Sequence, residues 1–289
     1  MFRRKNKVPD FAGATLFGGD LAMGTSTKDE SAEDEPSAAA AAGGHHLWPS
    51  PMEGQRVSTM AVAEAGSFGN RVGVVDGGIF GRDPETFPKS AFLKVENSLT
   101  VPRVLEYLVR WLKDNKAMDE VGIFRKSGTV ARIRHAKELL DIGRDFERDN
   151  GEADSIRTVD VACVLKDFFK EMPVPILGAR AAEFSAAMSI ASGDKKEQLI
   201  EMRKAFLLLT KLQQDMVSFL SHFLRDVAEC SEVNKMTAKN LAVCFEPNLF
   251  GVVADIQALS AAARIELGER RVKLIGATEL LITNADYFR

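Results

Sequence analysis

Cysteine is scarce: the 289 residues hold three, Cys163, Cys230 and Cys244, and no two stand as C-x-x-C. That spacing excludes a disulfide framework or a zinc cluster as the device that holds the chain together, and it suits a reduced, cytosolic compartment. Positive charge is not in surplus either, since 38 Lys and Arg meet 41 Asp and Glu for a formal net charge of -3. Nucleic-acid binding, which draws on a basic excess across a domain, is therefore not expected. No apolar run approaches the length of a membrane span. The cations Arg3, Arg4, Lys5 and Lys7 open the chain, but Pro9, Asp10, Gly18, Gly19 and Asp20 interrupt the apolar residues after them, so no secretory h-region forms. Phosphate-cradling and nucleophile-elbow patterns are missing as well. Gly77, Gly78 and Gly81 in "VVDGGIFGRD" fit neither G-x-x-x-x-G-K-S/T nor G-x-G-x-x-G and read as a turn. Nothing here points to an independent hydrolase.

Residues 1–75 are poor in large apolar side chains. Gly, Ala, Ser, Pro and acid dominate, as in "KDESAEDEPSAAAAAGGHH", and such a composition cannot bury enough surface to offset the entropy of ordering. The segment reads as a disordered low-complexity tail in which the adjacent His45 and His46 are solvated rather than metal-binding.

From residue 79 to 289 apolar side chains recur at helical spacing. "VPRVLEYLVRWLKDN" aligns Val101, Val104, Leu105, Leu108 and Leu112 on one face, with Pro102 tolerable in a first turn. "TVARIRHAKELLD" does the same with Val130, Ile133, Ala136 and Leu140, which leaves Arg132, Arg134 and Lys137 to the surface. Two further faces carry Leu199, Met202, Phe206 and Leu209, then Val217, Leu220, Leu224 and Val227. With no repeat and no sustained β alternation, the expected architecture is all-α, a single helical domain of about 210 residues.

Three stretches combine core and chemistry. In "DEVGIFRKSG" the apolar Val121, Ile123 and Phe124 call for burial, whereas Arg125 keeps its charge and needs water or an acidic partner. In "VDVACVLKDFFKEMPVPIL" a step of about 100° per residue gathers Val161, Val164, Leu165, Phe168, Phe169 and Met172 into one arc of roughly 140°. Lys166 and Lys170 fall about 40° apart on the far side, where a negative partner would relieve their repulsion. Pro173 and Pro175 bar continuation of that helix. "NKMTAKNLAVCFEPNLF" sets Leu241, Val243, Cys244 and Phe245 as core before a Pro-Asn stop, with Asn234, Asn240 and Asn248 as caps.

In this order, "GIFRKSG", "LKDFFKEMPVPIL" and "NKMTAKNLAVCFEPNL" resemble the three signature blocks of the RhoGAP domain, the GTPase-activating module for Rho-family small G proteins. "GIFGRDPETFP" and "LLITNADYFR" look like its two ends, so the resemblance covers residues 79–289 and implies a RhoGAP-type helical bundle. It implies that Arg125 is the arginine finger, presented in trans to GTP bound in another protein. Gly122 and Gly128 would let the finger loop turn, Phe124 would anchor it, and Lys126 would add positive potential and touch the partner. Lys166 matches the second block's lysine and, with Lys170, is implied to bind the G protein at its switch regions or to support the finger. Lys170 stands where arginine is usual, which removes a bidentate donor from the G-protein contact. Asn240 is implied at the interface and Asn248 as a supporting residue. Glu246 replaces a small residue, commonly glycine, and is expected to point to solvent; the alternative is that its bulk and charge tune which G protein binds.

On this reading the partner is a GTP-bound Rho-family G protein that owns the nucleotide, the Mg²⁺ and the hydrolytic site. The chain is then an activator rather than an enzyme. It needs no cofactor or metal and is cytoplasmic and monomeric, joining membrane-bound G proteins without inserting. Two alternatives stand beside it. One is an activation-deficient RhoGAP-like module that binds G proteins as an adaptor; the other is a nucleic-acid or membrane adaptor working through Arg132, Arg134 and Lys137.

Overall fold

The computed structural model describes residues 75–146, 155–190, 194–251 and 257–289, all within the unit Ser58–Arg289. A short ribbon leads in: β1 (Phe92–Lys94) pairs antiparallel with β2 (Thr100–Pro102), Leu93 opposite Val101. Val101, expected on a helix, is thus fully buried from a strand. Pro102 caps the first helix, α1 (Arg103–Asp114), from outside instead of entering its first turn, because its fixed φ suits the extended backbone that precedes a helix. Then come α2 (Val130–Asp141), α3 (Thr158–Lys170), α4 (Ala181–Ala187), α5 (Lys195–Leu207), α6 (Lys211–Glu229), α7 (Ser231–Asn234), α8 (Ala238–Phe250) and α9 (Ala261–Thr283).

Side chains fix where the longer helices start. Thr210 and Gln213 bond reciprocally across the first turn of α6, a capping box. Thr237 and Ser260 accept the third N–H of α8 and α9. The core fills with the expected stripes: Leu105, Leu108 and Leu112 of α1, Val161, Val164, Leu165, Phe168 and Phe169 of α3, and Val217, Leu220, Leu224 and Val227 of α6 are all buried. Around it α3 packs on α1, α2 and α8, while α8 lies along α9. The fold is all-α apart from the ribbon, among the described residues.

Several expectations need correction. Val75, assigned to the tail, is 3% exposed and belongs to the core, so the folded region reaches back at least that far; the rest of the tail, with His45 and His46, lies outside the described residues. Val130 is 79% exposed because it opens α2 next to a surface loop, and Ala136 and Leu140 carry the buried face. Val121 and Val243 are also about half exposed. Most instructively, the Pro-Asn pair does not stop α8. Pro247 removes one intrahelical donor, yet the helix runs on to bury Leu249 and Phe250 and ends at Gly251, whose φ is +89°. Tertiary burial outweighs the local cost.

Candidate functional site

The loop between α1 and α2 is built around one turn. Gly122 has φ +76°, and its carbonyl accepts the N–H groups of Arg125 at 3.0 Å and Lys126 at 2.9 Å. Its own N–H donates to the Asn234 carbonyl at 2.7 Å. Ile123 and Phe124 then plunge into the core, and the Phe124 ring meets Phe223 edge-on at 6.0 Å and Phe245 at 5.0 Å. Phe124 adopts φ +67°, the left-handed region, where a side chain other than glycine costs about 1–2 kcal/mol. Burial of a large ring, worth about 1.5–3 kcal/mol, holds it there. The Phe124 carbonyl accepts from Lys166 Nζ at 2.7 Å, so the second-block lysine reaches from α3 to brace the loop.

Arg125 comes directly after this anchored pair and is exposed. Among the described residues no hydrogen bond or ion pair engages its guanidinium. Lys126 is exposed as well and pairs with Glu120 at 2.8 Å in a half-exposed bridge. Gly128 differs from expectation. It does not have positive φ; instead its backbone passes so close to α3 that an added Cβ would lie 2.9 Å from Asp160 Cα. Asp160 is fully buried and ties down the far side of the loop, accepting from Thr129 N at 2.7 Å, Arg157 N at 3.0 Å and Arg132 Nε at 2.6 Å.

Lys170 lies one turn beyond Lys166 on α3, exposed and without an ion-pair partner among the described residues. On α8, Asn240 is partly exposed and donates to the Lys235 carbonyl at 3.1 Å, while Asn248 is buried and donates to the Cys244 carbonyl at 2.8 Å. Cys244 joins the pieces: burial pushes its thiol pKa up, and the nearby Lys166 and Arg125 cations oppose the rise. The loop, α3 and α8 thus converge, with Arg125 and Lys166 beside Cys244.

Glu246 does not point to solvent. It is 4% exposed and bonds Arg271 Nε of α9 at 3.1 Å; burial raises its pKa and Arg271 lowers it. The helix α2 cations are also engaged. Arg132 holds Asp160, Lys137 holds Glu171 and stands 4.7 Å over the Phe80 ring, and Arg134 lies 3.8 Å from Glu138. Two of the three cations expected of a nucleic-acid or membrane adaptor, Arg132 and Lys137, are therefore committed within the fold, while Arg134 stays largely exposed.

Two residues that build the site were not singled out for it in the sequence. Asp160 had a local signal, an acid three residues into a helix where it can accept the N-cap backbone N–H. Asn234 read only as a cap, because its long-range bonds leave no local trace.

A helical domain that displays an exposed arginine from a braced loop is the class these features define. The RhoGAP domain family matches residues 102–252, just over half of the chain. The chain belongs to the RhoGAP domain family. Rho GTPase-activating protein 7 of Canis lupus familiaris is 32% identical over 151 residues, 52% of this chain and 13% of that protein. StAR-related lipid transfer protein 13 of Homo sapiens is 35% identical over 151 residues, with the same 52% and 13% coverage. The matched stretch thus spans about an eighth of those relatives. Human Rho GTPase activating protein 15 shares the fold, with a TM-score of 0.59 at 19% identity over 81% of this chain and 99% of that one. So does the BH domain from GRAF, with a TM-score of 0.52 at 19% identity over 64% and 91%.

Proposed function

We propose that this chain stimulates GTP hydrolysis by Rho-family small G proteins and that Arg125 acts in trans as the arginine finger. The observation that carries the reading is the contrast within two residues: Phe124 is anchored and strained, and Arg125 beside it is exposed and without a partner among the described residues. Phosphoryl transfer spreads negative charge over the transferring group, and a preorganised cation stabilises it without reorganisation at the moment of reaction. Arginine suits the task through its planar, permanently charged, multiply donating fork. A finger of this kind is worth on the order of 10³–10⁵ in rate, roughly 4–7 kcal/mol at about 1.4 per decade.

In this reading the nucleotide, Mg²⁺ and attacking water belong to the G protein. Lys166 holds the loop from below, and Lys170 and Asn240 face acidic and polar groups of the partner. Gly122, Phe124, Gly128 and Asn248 support them. No helix among the described residues is long and apolar enough to cross a membrane, and the chain meets membrane-bound G proteins through protein contact, as a monomer. The second reading, a module that binds without activating, draws on Lys170 in place of arginine; the buried Glu246 gives it no support. Single-turnover hydrolysis separates the two. Acceleration that Arg125→Ala removes supports the finger, whereas a complex that forms with no change in rate favours the binding module.

A further inference from the structure

The turn joining α7 to α8 touches both halves of the site. Asn234, the last residue of α7, is fully buried. Its main-chain carbonyl takes the Gly122 N–H at 2.7 Å and so fixes where the arginine loop begins. Its side chain makes three more bonds: Nδ2 donates to the Met118 carbonyl at 3.0 Å and the Val227 carbonyl at 2.8 Å, and Oδ1 accepts the Met236 N–H at 2.8 Å. A helix cap needs only the last of these. The other two tie the segment just before Gly122 to the C-terminal end of α6, whose Phe223 packs on Phe124. Lys235 then turns with φ +62°, and its carbonyl holds the Asn240 amide at 3.1 Å.

Both amide hydrogens of Asn234 are thus spent inside the fold, and the residue has no exposed surface with which to meet a partner. Any effect on catalysis has to travel through the loop it holds. We propose that Asn234 is a positioning residue for Arg125, setting the path on which Phe124 and the guanidinium are presented. The inference rests on the reading of Arg125 as the finger. Because a finger acts in the transition state, loss of its positioning weakens that state selectively and leaves ground-state docking nearly intact.

The test measures affinity of the full chain for a Rho-family G protein in two forms. One form is loaded with a non-hydrolysable GTP analogue, the other with GDP and aluminium fluoride, which mimics the transferring phosphoryl group. Wild type, Asn234→Ala, Asn234→Ser and Arg125→Ala are compared after a thermal melt confirms folding. Asn234→Ser removes both Nδ2 donors, keeps a small polar group and buries no charge, so it serves where the alanine variant does not fold. The expected result is a loss of about tenfold or more for the fluoride complex with less than about threefold for the GTP-analogue complex, in parallel with Arg125→Ala. Equal losses for both complexes, or none for either, overturn the positioning role while Arg125→Ala still discriminates. If Arg125→Ala itself does not discriminate, the finger reading fails and the inference with it.

Discussion

Arg125 owes its exposure to the residue before it. A left-handed phenylalanine is uncommon, and the ring's contacts with Phe223 and Phe245 together with the Lys166 bond over-determine the conformation. Lys166→Met keeps most of the stem's packing but leaves the Phe124 carbonyl without its donor. The saturated hydrolysis rate should fall by at least about an order of magnitude and the melting temperature by several degrees, since one net hydrogen bond to a charged group is worth about 1.5–3 kcal/mol. Kinetics at saturating protein, read beside a melt, checks both halves of that statement. Gly128→Ala should act through packing instead. Its Cβ would press on the Asp160 backbone, so the cost is overpacking, about 1–3 kcal/mol of stability by urea unfolding.

At the scale of elements, ion pairs between helices hold the site's supports in place. Asp160 of α3 pairs with Arg132 of α2, the carboxylate fully buried and the guanidinium about one-fifth exposed. Asp160→Ala removes one partner of that pair and the acceptor for Thr129, and should cost about 3–5 kcal/mol in urea unfolding. The Glu246–Arg271 pair between α8 and α9 carries a pH signature. Burial raises the Glu246 pKa above the ordinary carboxylate value near 4.5 despite Arg271. The native state therefore binds this proton more tightly than the unfolded chain does, and the group's contribution to stability falls as pH rises from about 4.5 through the raised native value. Glu246→Gln lacks this dependence. Unfolding curves across that window should show wild type losing stability relative to the Gln variant as pH rises; a constant difference would contradict the assignment. These pairs also mark what the sequence could not tell. Periodicity reported the buried faces of α1, α3 and α6 because burial repeats locally every turn. It was silent on Arg132 with Asp160, on Glu246 with Arg271 and on Asn234 with Met118, since each bond joins residues far apart in the chain and depends on how helices meet. Pro247 misled for the same reason: the local rule says stop, and the burial of Phe250 says continue.

On the scale of the whole molecule, the site is assembled from three distant stretches that share no local signal. The first brings the strained loop, the second the α3 lysines and Asp160, the third the Asn234 turn and α8. Each was legible as a block, and the family membership gives their order its meaning. The bonds among them, Lys166 to the Phe124 carbonyl and Gly122 to the Asn234 carbonyl, are visible only once the chain is folded. The central claim is that this scaffold exists to hold one cation for a partner's transition state. It is tested most directly by single-turnover hydrolysis of GTP preloaded on Rho-family and Ras-family G proteins, with the wild-type chain and Arg125→Ala side by side. The account predicts acceleration confined to Rho-family members and reduced by about 10³-fold or more in the variant. An Arg125→Ala chain that accelerates hydrolysis as well as wild type would contradict it.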